Sequence, residues 1–217
     1  MSVEQKVRDH FHADAVRFDA IYEEDKNPIE RFIDHVWRGV VRRRLDVTLE
    51  KMQPLQGKTV LDVGCGSGRF CLAYAEQGAS HVLGVDFAPA MIELANQYAK
   101  KLGVQDRCEF RVGAFPETMK PNEGPYDYSS ACGFFDYIEN PVGIIRDMKR
   151  LTRTGAFMSF PKENEWRVPL RRMRFKKLGV PLFLYTEERV KQILKDAGFE
   201  RYDWINMDRD YLVIGRP

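Results

Sequence analysis

The sequence predicts an α/β fold, a mostly parallel sheet of seven strands with helices on both faces and an N-terminal helical cover. Strand-like apolar runs alternate with periodic, helix-like segments from residue 57 onward. One of these runs, residues 60–63, leads through three alternating glycines into a helical pattern. Two strand-like segments, residues 201–206 and 211–214, close the chain and predict a terminal antiparallel hairpin.

The glycine turn follows the first predicted strand and contains Gly64, Gly66 and Gly68. Glycine suits such a turn because a Cβ would hinder positive φ angles and the close approach of a ligand to the backbone. The second predicted strand, residues 81–86, ends at Asp86, about 20 residues further on, where an acid can accept hydrogen bonds from a pair of ribose hydroxyls. The pattern therefore predicts a nucleoside-binding site.

Seven positions around this turn form a motif: Asp62, Gly64, Gly66, Gly68, Asp86, Pro89 and Met91. The motif resembles that of class I S-adenosylmethionine-dependent methyltransferases. A nicotinamide enzyme usually has the pattern G-x-G-x-x-G, with no acid just before it, and places a pyrophosphate at the helix N-terminus. The resemblance covers residues 57–217 and implies a Rossmann-like fold that binds S-adenosyl-L-methionine and releases S-adenosyl-L-homocysteine.

The resemblance also implies which residues contact the cofactor. Phe87 and Met91 would pack the adenine ring, although packing in the core is the alternative for both. The turn after the third predicted strand often carries an acid for the adenine amino group, and Ala114 stands there instead. The implied cofactor-binding residues are Asp62, Gly64, Cys65, Gly66, Gly68, Asp86, Phe87, Met91, Ala114, Phe115 and Cys132.

Length and composition fit one domain over residues 1–217. We expect a cover at 1–52, a cofactor-binding core at 57–160, a basic insertion at 161–185 and the last helix and strands at 186–217. The net charge of +2 favours no particular partner, and the four cysteines include no C-x-x-C pair. Buried thiols, no metal site, no transmembrane segment and a cytoplasmic location are therefore expected.

The N-terminal cover, residues 1–52, has apolar residues at helical spacing and a break at Pro28. Its histidines are expected to be solvated or packed in the core. In similar methyltransferases a tyrosine of this segment closes over the methionine end of the cofactor. The resemblance implies that role for Tyr22, while a place in the core is the alternative.

The carboxyl end of the fourth predicted strand should line the active site, because ligands of open α/β sheets bind there. Asp136 and Tyr137 follow this strand. Many relatives have a histidine where Asp136 stands. Three roles are open for Asp136: a base that removes a proton from the acceptor, a residue that orients the acceptor by a hydrogen bond, and a helix cap.

The insertion at 161–185 is rich in basic residues and proline. Within it, Trp166, Leu170 and Met173 would share one face of a helix. Three interpretations are open: a solvated face, a surface that docks on nucleic acid or an anionic membrane, and a substrate cover that neutralises an anionic acceptor. The predicted substrate-binding residues are Tyr137, Trp166, Arg171 and Arg172.

The favoured function is methylation of a small molecule, on an oxygen atom of an anionic metabolite. The order of segments, including the ending Ala197-Gly198-Phe199, most resembles the magnesium-protoporphyrin O-methyltransferase branch. Methylation of nucleic acid or protein is an alternative, which the absence of an Asn/Asp-Pro-Pro-Tyr/Phe motif weakens for amino-methylating DNA enzymes. Cofactor binding without catalysis is a third. The sequence does not predict the oligomeric state.

Overall fold

The computed structural model describes residue 39 and residues 42–217. The first described helix covers residues 42–52 (α1). Most of the predicted N-terminal cover, including Tyr22 and all histidines except His81, lies outside the described residues. No helix within the described residues has the length and apolar character that crossing a membrane requires.

Seven strands form one sheet in the order β3-β2-β1-β4-β5-β7-β6. The first five are parallel, and β7 is antiparallel to both of its neighbours, β5 and β6. This order confirms the predicted mostly parallel sheet and its terminal hairpin. The strands are β1 (Thr59–Val63), β2 (His81–Asp86), β3 (Cys108–Val112), β4 (Tyr126–Ala131), β5 (Thr152–Pro161), β6 (Arg201–Asn206) and β7 (Asp210–Arg216).

The helices begin and end at residues suited to helix termini. Pro89 occupies the first turn of its helix, and Gly103 ends that helix with a left-handed φ of 68°. The Thr186 side chain caps the last helix by accepting a hydrogen bond from the Arg189 amide. The helices after α1 are α2 (Arg69–Glu76), α3 (Pro89–Leu102), α4 (Val142–Arg150), α5 (Val168–Leu178) and α6 (Glu187–Asp196).

Two apolar clusters lie on opposite faces of the sheet. Successive side chains of a strand point to opposite faces, so Val60 belongs to one cluster and Leu61 to the other. Residues of α4 and α6 fill the cluster that contains Leu61, and residues of α2 and α3 fill the cluster that contains Val60. The sheet is thus covered by helices on both faces, as predicted, and its ligand-binding edge is left at the carboxyl ends of the parallel strands.

The fifth strand is longer than the apolar run at residues 156–160 indicates. β5 begins at Thr152, because Thr152 continues the ladder by pairing with Tyr126. The insertion contains the helix α5, which buries Val168 and Phe175. The stripe of Trp166, Leu170 and Met173 is exposed.

Candidate functional site

The glycine turn joins β1 to α2 at the carboxyl edge of the sheet. The amides of Gly64 and Cys65 both donate to the Val85 carbonyl, at 2.8 and 3.1 Å, which ties the turn to β2. A Cβ on Gly64 would stand 2.3 Å from Cδ2 of Phe134, which follows β4. Gly64 therefore allows the close approach of an aromatic ring from the end of β4.

Asp86 lies at the end of β2 and fixes the turn through its side chain. Its two carboxylate oxygens accept hydrogen bonds from the Gly66 and Ala88 amides, each at 2.9 Å. Burial raises the pKa of Asp86, and the two amides oppose that rise. A carboxylate can accept about four hydrogen bonds, so acceptor positions remain for two ribose hydroxyls. Open space also lies beside Gly66, where an added Cβ would meet no atom within 4 Å.

Asp62 lies behind the turn in a buried hydrogen-bond network. Its carboxylate accepts from the Ser130 hydroxyl at 2.6 Å and from the Cys71 thiol at 3.3 Å. Burial raises the pKa of Asp62 to about 6, while the two hydrogen bonds oppose the rise and nearby Asp86 adds to it. Asp62 thus connects β1, β4 and α2 beneath the glycine turn.

Asp136 is buried in a single 3-10 turn, Phe135–Tyr137, just beyond β4. The Arg171 guanidinium of α5 donates from Nη2 to Oδ1 of Asp136. Burial raises the pKa of the Asp136 carboxyl, and the positive charges of Arg171 and Arg44 oppose that rise. Phe134 occupies the N-cap position of this turn and has no side-chain cap, and the base, orienting and capping roles of Asp136 stay predictions.

A second buried ion pair adjoins Asp136. Nε and Nη2 of Arg44 donate to the two carboxylate oxygens of Asp210, both at 2.7 Å. Burial alone would lower the pKa of Arg44, but Asp210 outweighs burial and raises it. Arg44 also reaches the end of β4, since a Cβ on Gly133 would stand 2.9 Å from its Nη1. This pair joins residues 166 positions apart, and no local pattern in the sequence predicts it.

The insertion reaches the carboxyl edge of the sheet through α5. Phe175 and Val180 form a small buried cluster against which Phe87 and Tyr137 pack. The rings of Tyr137 and Phe175 are stacked, with centroids 6.0 Å apart. Because Phe87 follows β2 and Tyr137 follows β4, the insertion spans the strand ends on both sides of the glycine turn.

Comparison with known proteins decides the family. The profile of a methyltransferase domain family matches residues 55–198, about two thirds of the chain. The chain belongs to the class I S-adenosylmethionine-dependent methyltransferases.

Curated relatives of this methyltransferase include two ubiquinone biosynthesis O-methyltransferases. The protein from Xylella fastidiosa (strain 9a5c) is 33% identical over 113 residues, 52% of this chain and 44% of the relative. The protein from Maricaulis maris (strain MCS10) is 33% identical over 106 residues, 49% of this chain and 41% of the relative. The match therefore spans less than half the length of these relatives.

Solved structures share the fold over the whole chain. Magnesium protoporphyrin IX methyltransferase from Synechocystis PCC 6803 with bound S-adenosylhomocysteine has a TM-score of 0.76 at 22% identity, covering 99% of this chain and 100% of that one. The same enzyme with bound S-adenosylmethionine gives 0.74 at 21% identity, covering 100% and 98%. At this identity, the likeness establishes the fold alone.

The other cofactor residues predicted for the methyltransferase lie in different surroundings. Met91 lies in the first turn of α3 and is buried with Ala88 and Leu94. Phe115 is buried in the cluster that α4 and α6 fill. The Ala114 carbonyl accepts a hydrogen bond from the Thr118 amide. Contacts of these side chains and backbone groups with adenine stay predictions.

The cysteines of the methyltransferase are free thiols. Cys65 lies in the glycine turn, and its thiol donates to the Gly66 carbonyl at 3.6 Å. Cys132 follows β4, and burial raises its pKa to about 12. Cys65 thus helps to shape the turn, while Cys132 lies near Asp62 and the pair of Arg44 and Asp210, whose charges act on its pKa.

The predicted substrate-binding residues of the insertion separate into two groups. Arg171 faces inward to Asp136, and Tyr137 packs on the insertion. Arg172 is paired with Glu163 at 3.0 Å on the surface. Trp166 is 75% exposed, with the Arg167 guanidinium 4.4 Å from its ring centre. Adjacent positions in sequence therefore point in different directions, which spacing alone did not predict.

Proposed function

We propose that this methyltransferase transfers a methyl group from S-adenosylmethionine to an oxygen atom of an anionic small molecule. The observation that carries the proposal is the buried carboxylate of Asp136, which lies at the end of β4 and is paired with Arg171 of the insertion. Asp136 provides a carboxylate that can accept a proton, and Arg171 provides a cation next to it that suits an anionic acceptor. Both lie at the edge where α/β sheets bind ligands.

The arrangement of residues around the glycine turn is compatible with binding of the cofactor. Asp86 retains acceptor positions for the ribose hydroxyls, and the space beside Gly66 admits a ligand close to the backbone. When bound, S-adenosylmethionine supplies a methyl group on a positively charged sulfur. Ala114 provides no carboxylate for the adenine amino group, so the chain holds the ribose with an acid and the adenine without one.

Asp136 is proposed to accept the proton of the acceptor. A hydroxyl oxygen forms the new bond to the methyl carbon, and the pair of electrons of the broken carbon–sulfur bond stays on sulfur. The hydroxyl proton moves to Oδ2 of Asp136, because Oδ1 is held by Arg171. Burial raises the pKa of this carboxyl and so makes it a better proton acceptor than an exposed aspartate.

Orientation supplies the remainder of the rate acceleration, since methyl transfer is an in-line displacement. The insertion contributes by covering the edge of the sheet between Phe87 and Tyr137. Tyr22 is proposed to close the methionine end of the cofactor site and lies outside the described residues. The names of the curated relatives, which are O-methyltransferases of ubiquinone biosynthesis, support oxygen as the acceptor atom.

A transfer assay tests the proposal. The full chain is incubated with methyl-labelled S-adenosylmethionine and, separately, with a small-molecule extract, with RNA and DNA, and with extracted proteins. We expect label in the small-molecule sample, in molecules that an anion exchanger retains. Label in nucleic acid or protein alone would overturn the proposal. The variant Asp86→Ala, which is expected to lose cofactor affinity, controls for contaminating enzymes.

A further inference from the structure

A cavity of about 220 Å³ lies beside the buried pair of Arg44 and Asp210, and Asp210 belongs to its lining. Its lining includes Arg43, Arg167 and Arg209. It adjoins the pairing of Pro161 with Asp210, where β5 ends and the antiparallel strand β7 begins. The carboxyl end of β5 belongs to the ligand-binding edge of the sheet, so this cavity opens on the same edge as the proposed reaction site.

The arginines of this cavity are unequally neutralised. Arg43 lies 3.9 Å from a carboxylate oxygen of Asp208, and Arg167 lies 3.6 Å from one of Glu165. Asp210 lines the cavity too, but Arg44 occupies both of its carboxylate oxygens. Among the described residues, Arg209 is the cavity arginine that forms no ion pair within 4.0 Å.

Arg209 also has an unused donor. Its Nε is buried and has no hydrogen-bond partner in the part of the chain that the structure describes. Burial and the positive charges of Arg167 and Arg171 lower the pKa of Arg209, while Glu165 and Asp210 oppose that change. The side chain is partly buried beside two like charges, and a bound anion would offset both costs.

The insertion carries a second unused donor, on Arg171, four residues from the cavity-lining Arg167. Arg167 and Arg171 are one helical turn apart, and the Arg171 amide donates to the Arg167 carbonyl at 3.0 Å. Nη2 of Arg171 is bound to Asp136, whereas its Nε is buried and unpartnered among the described residues. Positive charge therefore extends continuously from the cavity to the proposed proton acceptor.

We infer that this cavity binds an acid group of the methyl acceptor, a carboxylate or a phosphate, with Arg209 as its principal ligand and Arg167 beside it. The inference rests on the proposed function and adds to it the place where the acceptor's charge is held. The fork of N–H donors on a guanidinium matches the oxygens of both acid groups. The volume is several times the roughly 30 Å³ that one water molecule occupies, so an acid group and adjoining atoms fit.

The first test measures anion binding without any methyl transfer. Inorganic phosphate and succinate are titrated into the full chain by calorimetry at constant ionic strength, with chloride as the reference salt. We expect Arg209→Gln to weaken binding of at least one of the two anions about tenfold or more, because hydrogen bonds to charged groups are lost. The phosphate and succinate titrations distinguish the two acid groups.

Arg150→Gln is the matched control, since Arg150 is exposed, is paired with Asp147 at 3.2 Å and lies outside the cavity lining. It should bind phosphate and succinate like the wild type. Equal weakening by Arg150→Gln would reveal a general charge effect and overturn the inference, as would unchanged binding in Arg209→Gln. Melting temperatures without anions separate misfolding from ligand loss, because Arg209 is only partly buried and Arg209→Gln should melt close to the wild type.

The second test uses the acceptor that the transfer assay finds. Arg209→Gln should raise KM for that acceptor about tenfold or more, with kcat and S-adenosylhomocysteine affinity unchanged. An anionic acceptor whose KM does not change would overturn the inference and leave the proposed function in place. Transfer to nucleic acid or protein alone would overturn the proposed function, and the anion titration would still decide whether the cavity binds acid groups.

Discussion

The ring of Phe134 lies against Gly64, so close that a Cβ on the glycine would stand 2.3 Å from Cδ2 of the ring. The contact joins the turn that follows β1 to the segment that follows β4. These are the parts of the chain that carry the cofactor motif and Asp136. The contact therefore fixes the distance between the cofactor side and the acceptor side of the site.

Gly64→Ala should destabilise the fold and weaken cofactor binding. The left-handed φ of 70° costs an L-residue about 1–2 kcal/mol, and overlap with Phe134 adds about 1–3 kcal/mol. Gly66→Ala is the control, because its φ is 53° but its Cβ would meet no atom within 4 Å. Denaturant unfolding should show the larger loss for Gly64→Ala, and adding Phe134→Ala should recover part of it. Equal losses for the two glycine variants would contradict the packing interpretation.

Asp86→Asn should weaken S-adenosylhomocysteine binding about tenfold to a hundredfold, because hydrogen bonds from the ribose hydroxyls would lose their charged acceptor. Asp127→Asn provides a matched control at the opposite edge of the sheet, where Asp127 accepts from the Thr59 amide at 2.9 Å. Calorimetry should show an unchanged affinity for this control. Ribose recognition by Asp86 would be excluded if both variants bound S-adenosylhomocysteine like the wild type.

The raised pKa of Asp62 predicts that the free energy of unfolding depends on pH. Its folded-state pKa is raised to about 6 from 3.8, so its contribution to the free energy of unfolding is fully present below pH 3.8 and is lost as pH rises through 6. The stability of the wild type relative to Asp62→Asn should therefore fall by about 3 kcal/mol across that range. Urea unfolding at several pH values measures this difference.

Asp127 provides a control of opposite sign. Burial opposes the shift, but the hydrogen bonds from Thr59 and the charge of Lys58 outweigh it and lower the pKa of Asp127. The stability of the wild type relative to Asp127→Asn should therefore decrease as pH falls. If the wild type and Asp62→Asn differed by a constant amount at every pH, the buried network would not titrate as described.

Arg171→Gln should destabilise the protein by about 3–5 kcal/mol, because it leaves the buried Asp136 carboxylate without its partner. Losing this cation would raise the pKa of Asp136 further, so the destabilisation should diminish at low pH, where the carboxyl is neutral. Arg172→Gln should have an effect below about 1 kcal/mol, since its ion pair is exposed. Adding Asp136→Asn to Arg171→Gln should restore stability. Similar losses for Arg171→Gln and Arg172→Gln would contradict the buried pair.

Sequence patterns predicted the strands and the turn whose conformation depends mainly on residues close together in the chain. The apolar run before the glycines became β1, and the two strand-like segments at the end of the chain became β6 and β7. The turn after β1 was recognisable because the positive φ angles at its three glycines have a direct signature in sequence.

Contacts between distant segments could not be predicted in this way. Arg44 and Asp210 are far apart in the chain, and no periodic pattern in the sequence predicts that they form an ion pair. Asp208, Arg209 and Asp210 lie between two predicted strands, and their alternating charges identify no distant partner. Spacing placed Trp166 and Leu170 on one helix face, but it could not tell that the opposite face, with Phe175, is the one that packs.

The role of Asp136 as proton acceptor is tested most directly by the single-turnover rate of methyl transfer across pH, for wild type and Asp136→Asn. Affinity for S-adenosylhomocysteine is measured in parallel. We predict that Asp136→Asn lowers the rate about 100-fold or more and abolishes the loss of activity that protonation of Asp136 causes in the wild type at low pH. An unchanged rate in Asp136→Asn at every pH, with intact cofactor affinity, would contradict that role.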